Sequence, residues 1–503
     1  MTGEIIRDEP LSWREVAAVG EGAALSLSDA SLRRVAHARA LVEAIVAKRI
    51  RAYGVNTGVG ALCDVVVEPS QLRQLSHNII MSHAVGVGTP LGRSEVRAVI
   101  AAAVNNFAHG YSGVRPCVIE LLLSLLRADC VPEVPAQGSV GYLSHMAHIA
   151  LVLLGDGFVL HHGSRRSGAE ALRSLDIQPL VLEAKEGLSL VNGTPCVTGL
   201  SALALQRTER LLEWADVVSA MTFENLHGQL SAFDSEALGL RASPALSAVG
   251  ARLRVLLEGS AILAAGAGRR TQDPLSLRAI PHVHGAVRDL FANTARAVDG
   301  ELAAATDNPI VIGTEGSPRA LSQAHAVGAA VGLNADALGI AVAELAAMSE
   351  RRIDRMVNPL VSRLPPFLAA DGGAGSGFMI AQYAAVSLVA ENRRLAAPAS
   401  LDGGVTSGLQ EDHLVHATPA AIKLLKILDN AEFILSIELL AAAQAYDLQS
   451  GALARAPRTD LVYRGLREQI PQYRDDRPLA ADIDRARDLI HGPVSVYLGR
   501  ETG

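Results

Sequence analysis

A mainly α-helical fold, a bundle of long helices with small peripheral β elements, is predicted from three observations. Segments rich in alanine, leucine, arginine and glutamate run much longer than any strand: Ser28 to Ile50, Thr198 to Thr222, Ala329 to Ile353 and Ala420 to Leu448, with apolar residues returning at intervals of three and four. Glycine and proline punctuate the stretches between them. The 503 residues are 49% hydrophobic and 19% charged, a globular balance with material for a deep core.

The segment Ala329 to Ile353 carries only Asp336 as a charge before Glu344. A soluble helix that is apolar nearly all round must be enclosed by other helices, of its own chain or of neighbouring subunits, which predicts a central bundle and an obligate oligomer. Short strands are expected where the pattern loosens, at Ile177–Leu182 and Leu188–Val191 on either side of a lysine-glutamate turn, and around Pro309–Ile312. The expected division is an N-terminal helical and loop domain over 1–197, followed by the long-helix bundle and a C-terminal helical region over 198–503.

Several function classes are disfavoured. The weakly charged stretches 134–154 and 328–350 are interrupted by His, Asp, Gly or Glu, so no membrane span is expected. The opening Met1-Thr2-Gly3-Glu4-Ile5 has neither a basic flank nor an apolar run, which argues against a cleaved signal and for a cytoplasmic protein. Cys63, Cys117, Cys130 and Cys196 are scattered and read as reduced thiols. A net charge of −7 without long runs of either sign, and only two tryptophans, argue against a nucleic-acid surface. His145 and His148 share a helical face but no acidic or sulfur ligands accompany them, so no metal is expected.

The glycine turns Tyr53–Gly60, Gly138–Gly141, Asn192–Pro195 and Gly372–Gly377 are loops where side chains can converge. Near them stand Tyr53, His83, Asn192, Arg278, Asn308, Gln410, Glu411 and His413. A phenol can move a proton if its pKa is lowered, an arginine fork fits a carboxylate, and a buried glutamate can take part in proton transfer or hold a cation. Together these would suit a small zwitterion; singly, each is as well explained by packing or capping, and Ser407 with Gln410–His413 reads equally as an ordinary helix start.

From roughly Val42 to Asp488 the chain resembles the histidine, phenylalanine and tyrosine ammonia-lyases and their aminomutase relatives. The matching blocks, in family order, are Tyr53–Gly60, Asn78–Gly88, Gly138–Gly141, Lys185–Thr194, Ser276–Arg278, Asp307–Pro309, Ser349–Ile353, Leu364–Leu368, Ser376–Gln382 and Gln410–His413. The resemblance implies a homotetramer whose active sites are each shared by three subunits, acting on a small amino acid. It also implies roles: Tyr53 as the proton-abstracting tyrosine, Arg278 on the substrate carboxylate, Asn192 beside cofactor and substrate, and His83 and Glu411 near the substrate side chain or amine, with Asn308 and Gln410 as further substrate contacts.

One block departs. Family members continue from Gly-Ser-Val-Gly into Ala-Ser-Gly-Asp, whose first three residues cyclise into an electrophilic methylideneimidazolone; here Gly141 is followed by Tyr142-Leu143-Ser144-His145. Leu275 and Leu409 also replace a family tyrosine and asparagine, and Ser322-Gln323-Ala324-His325 replaces Gly-Asn-Phe-His. These departures suggest a vacated cofactor site at Gly141, Tyr142 and Leu275, with no cofactor and with Tyr142 as a second acid–base group or a filler of volume. On that basis the expected function is a cofactor-independent β-elimination from a histidine-like or aromatic amino acid derivative with an activated amine, as in the resembling ergothionase. The alternatives are a catalytically silent ligand-binding or scaffold homologue, and a conventional ammonia-lyase whose cyclised tripeptide is missing from the written sequence.

Overall fold

The computed structural model describes residues 4–449 and 453–498. Helix dominates, as the periodicity predicts. The long helices are Asp29–Ala47, Pro195–Asn225, Ile280–Leu302, Ala329–Val357 and Ala417–Leu448. Asp29–Ala47 starts where Ser28 caps it, its hydroxyl accepting from the Ser31 N–H at 3.1 Å, and stops before Arg49, which takes a left-handed φ of +51°. Pro195–Asn225 opens on proline, tolerated in a first turn because the N–H it lacks has no helical acceptor there.

Among the described residues two helical runs are long and apolar enough to cross a membrane, Glu186–Asn225 and Ala329–Val357, yet their apolar windows are 100% and 67% buried within the protein. They are core helices, and the 67% leaves part of Ala329–Val357, including Leu333 and Ile340, facing outward.

The β structure is four small sheets among the described residues. Ile5–Arg7 pairs in parallel with Leu25–Leu27, and Ile310–Thr314 forms a hairpin with Ser317–Leu321. The hairpin realises the strand expected around Pro309–Ile312. The strands expected at 177–182 and 188–191 do not form: 177–182 has no regular structure, and Leu188–Val191 belongs to the helix Glu186–Val191. Every residue of that helix is buried, so a short apolar run carried no period to separate strand from helix.

The chain forms two compact units. The first is Met1–Gln206, Thr294–Asp336 and Pro398–Ile422; the second is Arg207–Asn293, Ala337–Ala397 and Lys423–Gly503.

Within the second unit, Glu432 is 2% exposed and is met by three side chains: Arg207 Nη2 at 2.8 Å, Arg487 Nη2 at 3.0 Å and His491 Nε2 at 2.9 Å. Burial alone would raise its pKa; the hydrogen bond from His491 and the charge of Arg207 outweigh it and hold the carboxyl at about 2. A depressed folded-state pKa means stability that is full above the ordinary value of 4.5 and is lost as pH falls from there towards 2. The wild-type protein should therefore lose about 3 kcal/mol across that window from this group, at ~1.4 kcal/mol per pKa unit. Glu432→Gln should be destabilised at pH 7 and have a shallower acid slope, read by urea unfolding at stepped pH; an unchanged slope would contradict the assignment.

Candidate functional site

A cavity of about 780 Å³ opens in the first unit, and every residue lining it belongs to that unit. Its first wall is the turn Tyr53–Gly60. Asn56 ties the turn to its root: its Oδ1 accepts from Ala52 N–H at 2.8 Å and its Nδ2 donates to the Ile50 carbonyl at 2.9 Å. Thr57 closes it, accepting from Gly54 N–H at 3.1 Å. Gly54 is required twice, for a φ of +62° and because a Cβ there would lie 2.1 Å from Leu188 Cδ2. The turn aims Tyr53 into the cavity with its hydroxyl accepting from Gly60 N–H at 3.4 Å.

His83 is the last residue of the helix Leu72–His83, its Nδ1 3.1 Å from the Ser82 hydroxyl. Asn192 caps the end of Glu186–Val191 and donates to the Asn308 carbonyl at 2.6 Å, while its Oδ1 accepts from Gly193 N–H at 2.9 Å. Asn308 in turn accepts from Gln323 N–H at 2.9 Å and from the Ser322 hydroxyl at 3.3 Å. The remaining wall is Gln410–His413, reached through left-handed residues at Ser407, Gly408 and Leu409; Thr406 N–H donates to the Glu411 carbonyl at 2.9 Å. The ordinary helix start considered for this segment does not form: a short 3-10 turn at Ser407–Leu409 precedes an irregular stretch.

Tyr53, His83, Tyr142, Asn192, Asn308, Gln410, Glu411 and His413 thus face one space. Leu275, Arg278 and Leu409 do not line it. Leu275 and Arg278 lie in the second unit, on the short helix Leu275–Arg278, where Leu275 is 65% exposed and the buried Arg278 Nε has no hydrogen-bond partner. Sequence reasoning missed Gln323, Ser322, Arg51 and Asp64 on the cavity wall; the last two form an ion pair. For Ser322 and Gln323 the signal was present in the departure from Gly-Asn-Phe-His; for the others nothing in the sequence marks them.

Both phenols are held neutral in the single chain. Burial raises the Tyr53 pKa, the Gly60 N–H works against it, and the Glu411 charge raises it again. Burial, Glu411 and Tyr53 all raise that of Tyr142. Burial lowers the pKa of His83, leaving a neutral imidazole at pH 7. Glu411, on the cavity wall, has a buried Oε2 with no hydrogen-bond partner. No group of three or more metal-binding side chains occurs among the described residues.

Gly141 has a φ of +150°, and a Cβ on it would lie 2.8 Å from the Val415 carbonyl oxygen. Tyr142 follows directly in the sequence.

The family model described as "Aromatic amino acid lyase" matches residues 11–468. A histidine ammonia-lyase from Deinococcus radiodurans is 42% identical over 498 residues, covering 97% of this chain and 94% of the relative. Among solved structures, histidine ammonia-lyase from Trypanosoma cruzi superposes with a TM-score of 0.91 at 35% identity, covering 98% of this chain and 95% of that one. Tyrosine aminomutase from Streptomyces globisporus does so with a TM-score of 0.93 at 34% identity, covering 99% of both.

These likenesses correct two expectations. Cofactor-independent elimination from an activated amine is not what they support: an ergothionase from Treponema denticola matches at only 25% identity, with a TM-score of 0.89 and coverage of 97% and 98%. Near-full-length likeness to histidine ammonia-lyases backs the conventional alternative instead. The expectation of no cofactor falls with it, because it rested on the three-residue departure after Gly141, and the rest of the chain sides with relatives for which the resemblance implies the methylideneimidazolone. A matched family model over most of the chain, a helical fold shared with solved ammonia-lyases and aminomutases, and a cavity furnished for a small amino acid lead to one statement: this chain belongs to the aromatic amino acid lyase family and is an enzyme of the carbon–nitrogen lyase type.

Proposed function

We propose that the chain releases ammonia from histidine or a closely similar aromatic amino acid, leaving the α,β-unsaturated acid. The observation that carries this is the convergence of Tyr53, His83 and Glu411 on one cavity in a chain 42% identical to a histidine ammonia-lyase. An amino acid brings an ammonium, a carboxylate and, for histidine, an imidazole. The open Glu411 oxygen accepts from the ammonium or the imidazole N–H, and neutral His83 can pair with a second imidazole as donor or acceptor. Tyr53 is the base for the β proton. In the family reaction the electrophile, where present, activates the amine or ring; this chain's own residues bind, orient and move the proton.

Arg278 completes the reading. Its guanidinium suits the substrate carboxylate; it does not line the cavity of the first unit, and the resemblance implies its delivery by another copy in a homotetramer. Tyr142, on the wall of the same cavity as Tyr53, serves as a second acid or as packing.

Ultraviolet absorbance of the unsaturated product, followed with histidine as substrate, should show turnover that falls about 10²- to 10⁴-fold in Tyr53→Phe, the span of a lost general base. No turnover of histidine or its aromatic analogues by wild-type protein would overturn the proposal. Because a base with a raised pKa works better as pH rises, kcat/KM should climb on the alkaline side, and Glu411→Gln, by removing a negative charge beside Tyr53, should move that limb to lower pH. A limb that stays in place would exclude coupling between the two. Mixing inactive Tyr53→Phe and Arg278→Ala chains by refolding should restore activity at about a quarter of the sites if the two residues come from different copies, and at none if they come from the same one.

A further inference from the structure

A second cavity, of about 610 Å³, lies wholly in the second unit and shares no residue with the candidate site. Its polar lining is Arg269, Arg363, Arg455, His227 and Gln449, with Tyr446 on the wall and no aspartate or glutamate among the lining residues. The guanidiniums are not equivalent. Arg455 is already neutralised, its Nε donating to Asp460 Oδ1 at 2.8 Å and its plane lying 4.0 Å over the Tyr463 ring. Arg270, which follows Arg269, is paired to Asp273 at 3.0 Å. The Arg269 and Arg363 side chains have no hydrogen-bond or ion-pair partner among the described residues. Arg363 is moreover held at a left-handed φ of +62°, where a non-glycine residue is disfavoured.

Two uncompensated guanidiniums facing one concavity repel each other, and an anion between them would convert that repulsion into charge-assisted hydrogen bonds. We propose that this cavity binds a small phosphate-bearing ligand. The charge count selects phosphate over carboxylate: a carboxylate supplies one negative charge and leaves a guanidinium uncompensated, whereas a phosphate near pH 7 supplies close to two, with three acceptor oxygens for two planar forks. His227, whose Nδ1 lies 3.2 Å from the Ile262 carbonyl, keeps Nε2 for a further contact. The inference is independent of the lyase reading.

The test uses the full chain with inorganic phosphate and pyrophosphate at constant ionic strength, chloride serving as the control, read by isothermal titration and by thermal melting. Expected is saturable binding and a rise in Tm that chloride does not give. Arg269→Ala/Arg363→Ala should weaken binding by at least about tenfold, the scale of lost charge-assisted hydrogen bonds. Both side chains are exposed, so the variant should melt in chloride as the wild type does, and Arg363→Lys should recover part of the affinity. Equal affinity in the double variant, or no saturable binding by wild type because a second copy covers the cavity, would overturn the proposal.

Discussion

Lys185 and Asp307, 122 residues apart, meet at 2.9 Å with side chains 0% and 1% exposed, and the geometry of the cavity follows from that contact. Burial pushes the Lys185 pKa down and Asp307 works against the push, so each ion is tolerable only with the other in place. Removing one partner of such a pair costs about 3–5 kcal/mol, enough to fix one backbone position against a distant one. Asp307 Oδ1 accepts from Asn308 N–H at 2.7 Å, and the Asn308 carbonyl then accepts from Asn192. Gln323 Nε2 donates to the Asp307 carbonyl at 2.9 Å. Lys185 Nζ also donates to the Ser189 hydroxyl at 2.8 Å, inside the same short helix that ends at Asn192. One buried ion pair therefore sets the helix, its cap and the facing loop in register.

The second unit uses the same device for core rather than site. Glu438 is fully buried and accepts from Arg352 Nε at 2.6 Å, Arg352 Nη2 at 2.8 Å, Thr222 at 2.8 Å and Ser349 at 2.6 Å. Glu224, also fully buried, accepts from Ser260 at 2.5 Å, Thr459 at 2.8 Å, the Ala456 N–H at 2.7 Å and the Tyr446 hydroxyl. Each carboxylate is saturated with donors, which is the condition for keeping a charge in a helical core. Glu411 lacks that saturation at Oε2. Beside Glu224 and Glu438, satisfied so fully, an open carboxylate oxygen on a cavity wall is suited to a donor from outside.

How much of this is legible in the sequence depends on the range of the interaction. Helix length follows from local periodicity, so Ala329–Val357 and Ala417–Leu448 stand within a few residues of where their apolar spacing puts them. The six buried residues of Glu186–Val191 have no exposed face to set a phase, and only Arg115 reaching Glu186 at 2.7 Å and the left-handed Lys185 before it explain a helix there. Site residues next to glycine turns, such as Tyr53 and Asn192, are visible because the turn advertises them; Arg51 and Asp64 enter the wall through tertiary folding and leave no local trace. Chemistry is least local. Three residues after Gly141 suggest a different reaction, while identity spread over 498 residues ties the chain to histidine ammonia-lyases, and a pocket is defined by all of its walls.

The segment Gly141-Tyr142-Leu143 shows what those walls do together. Leu143 adopts a φ of +79°, a conformation that costs a non-glycine residue on the order of 1–3 kcal/mol. Local hydrogen bonds hold it: Leu143 N–H to the Val191 carbonyl at 3.0 Å, the Ser139 hydroxyl to the Tyr142 carbonyl at 2.7 Å, and the Thr418 hydroxyl to the Gly141 carbonyl at 2.6 Å. The outcome is a second neutral phenol in a cavity that already holds Tyr53 and an unsatisfied Glu411 oxygen. The Arg51 guanidinium on its wall is paired with Asp64, so the ammonium of an amino acid would be the cation that meets Glu411. On the proposed function, an ammonium seated against Glu411 offsets one of the charges that raise the Tyr53 pKa, burial being the larger cause, and so favours loss of the phenol proton when substrate is present. Keeping the phenol protonated until then avoids burying a second anion beside Glu411 in the empty enzyme, and spends the strain at Leu143 on an arrangement that the substrate itself completes.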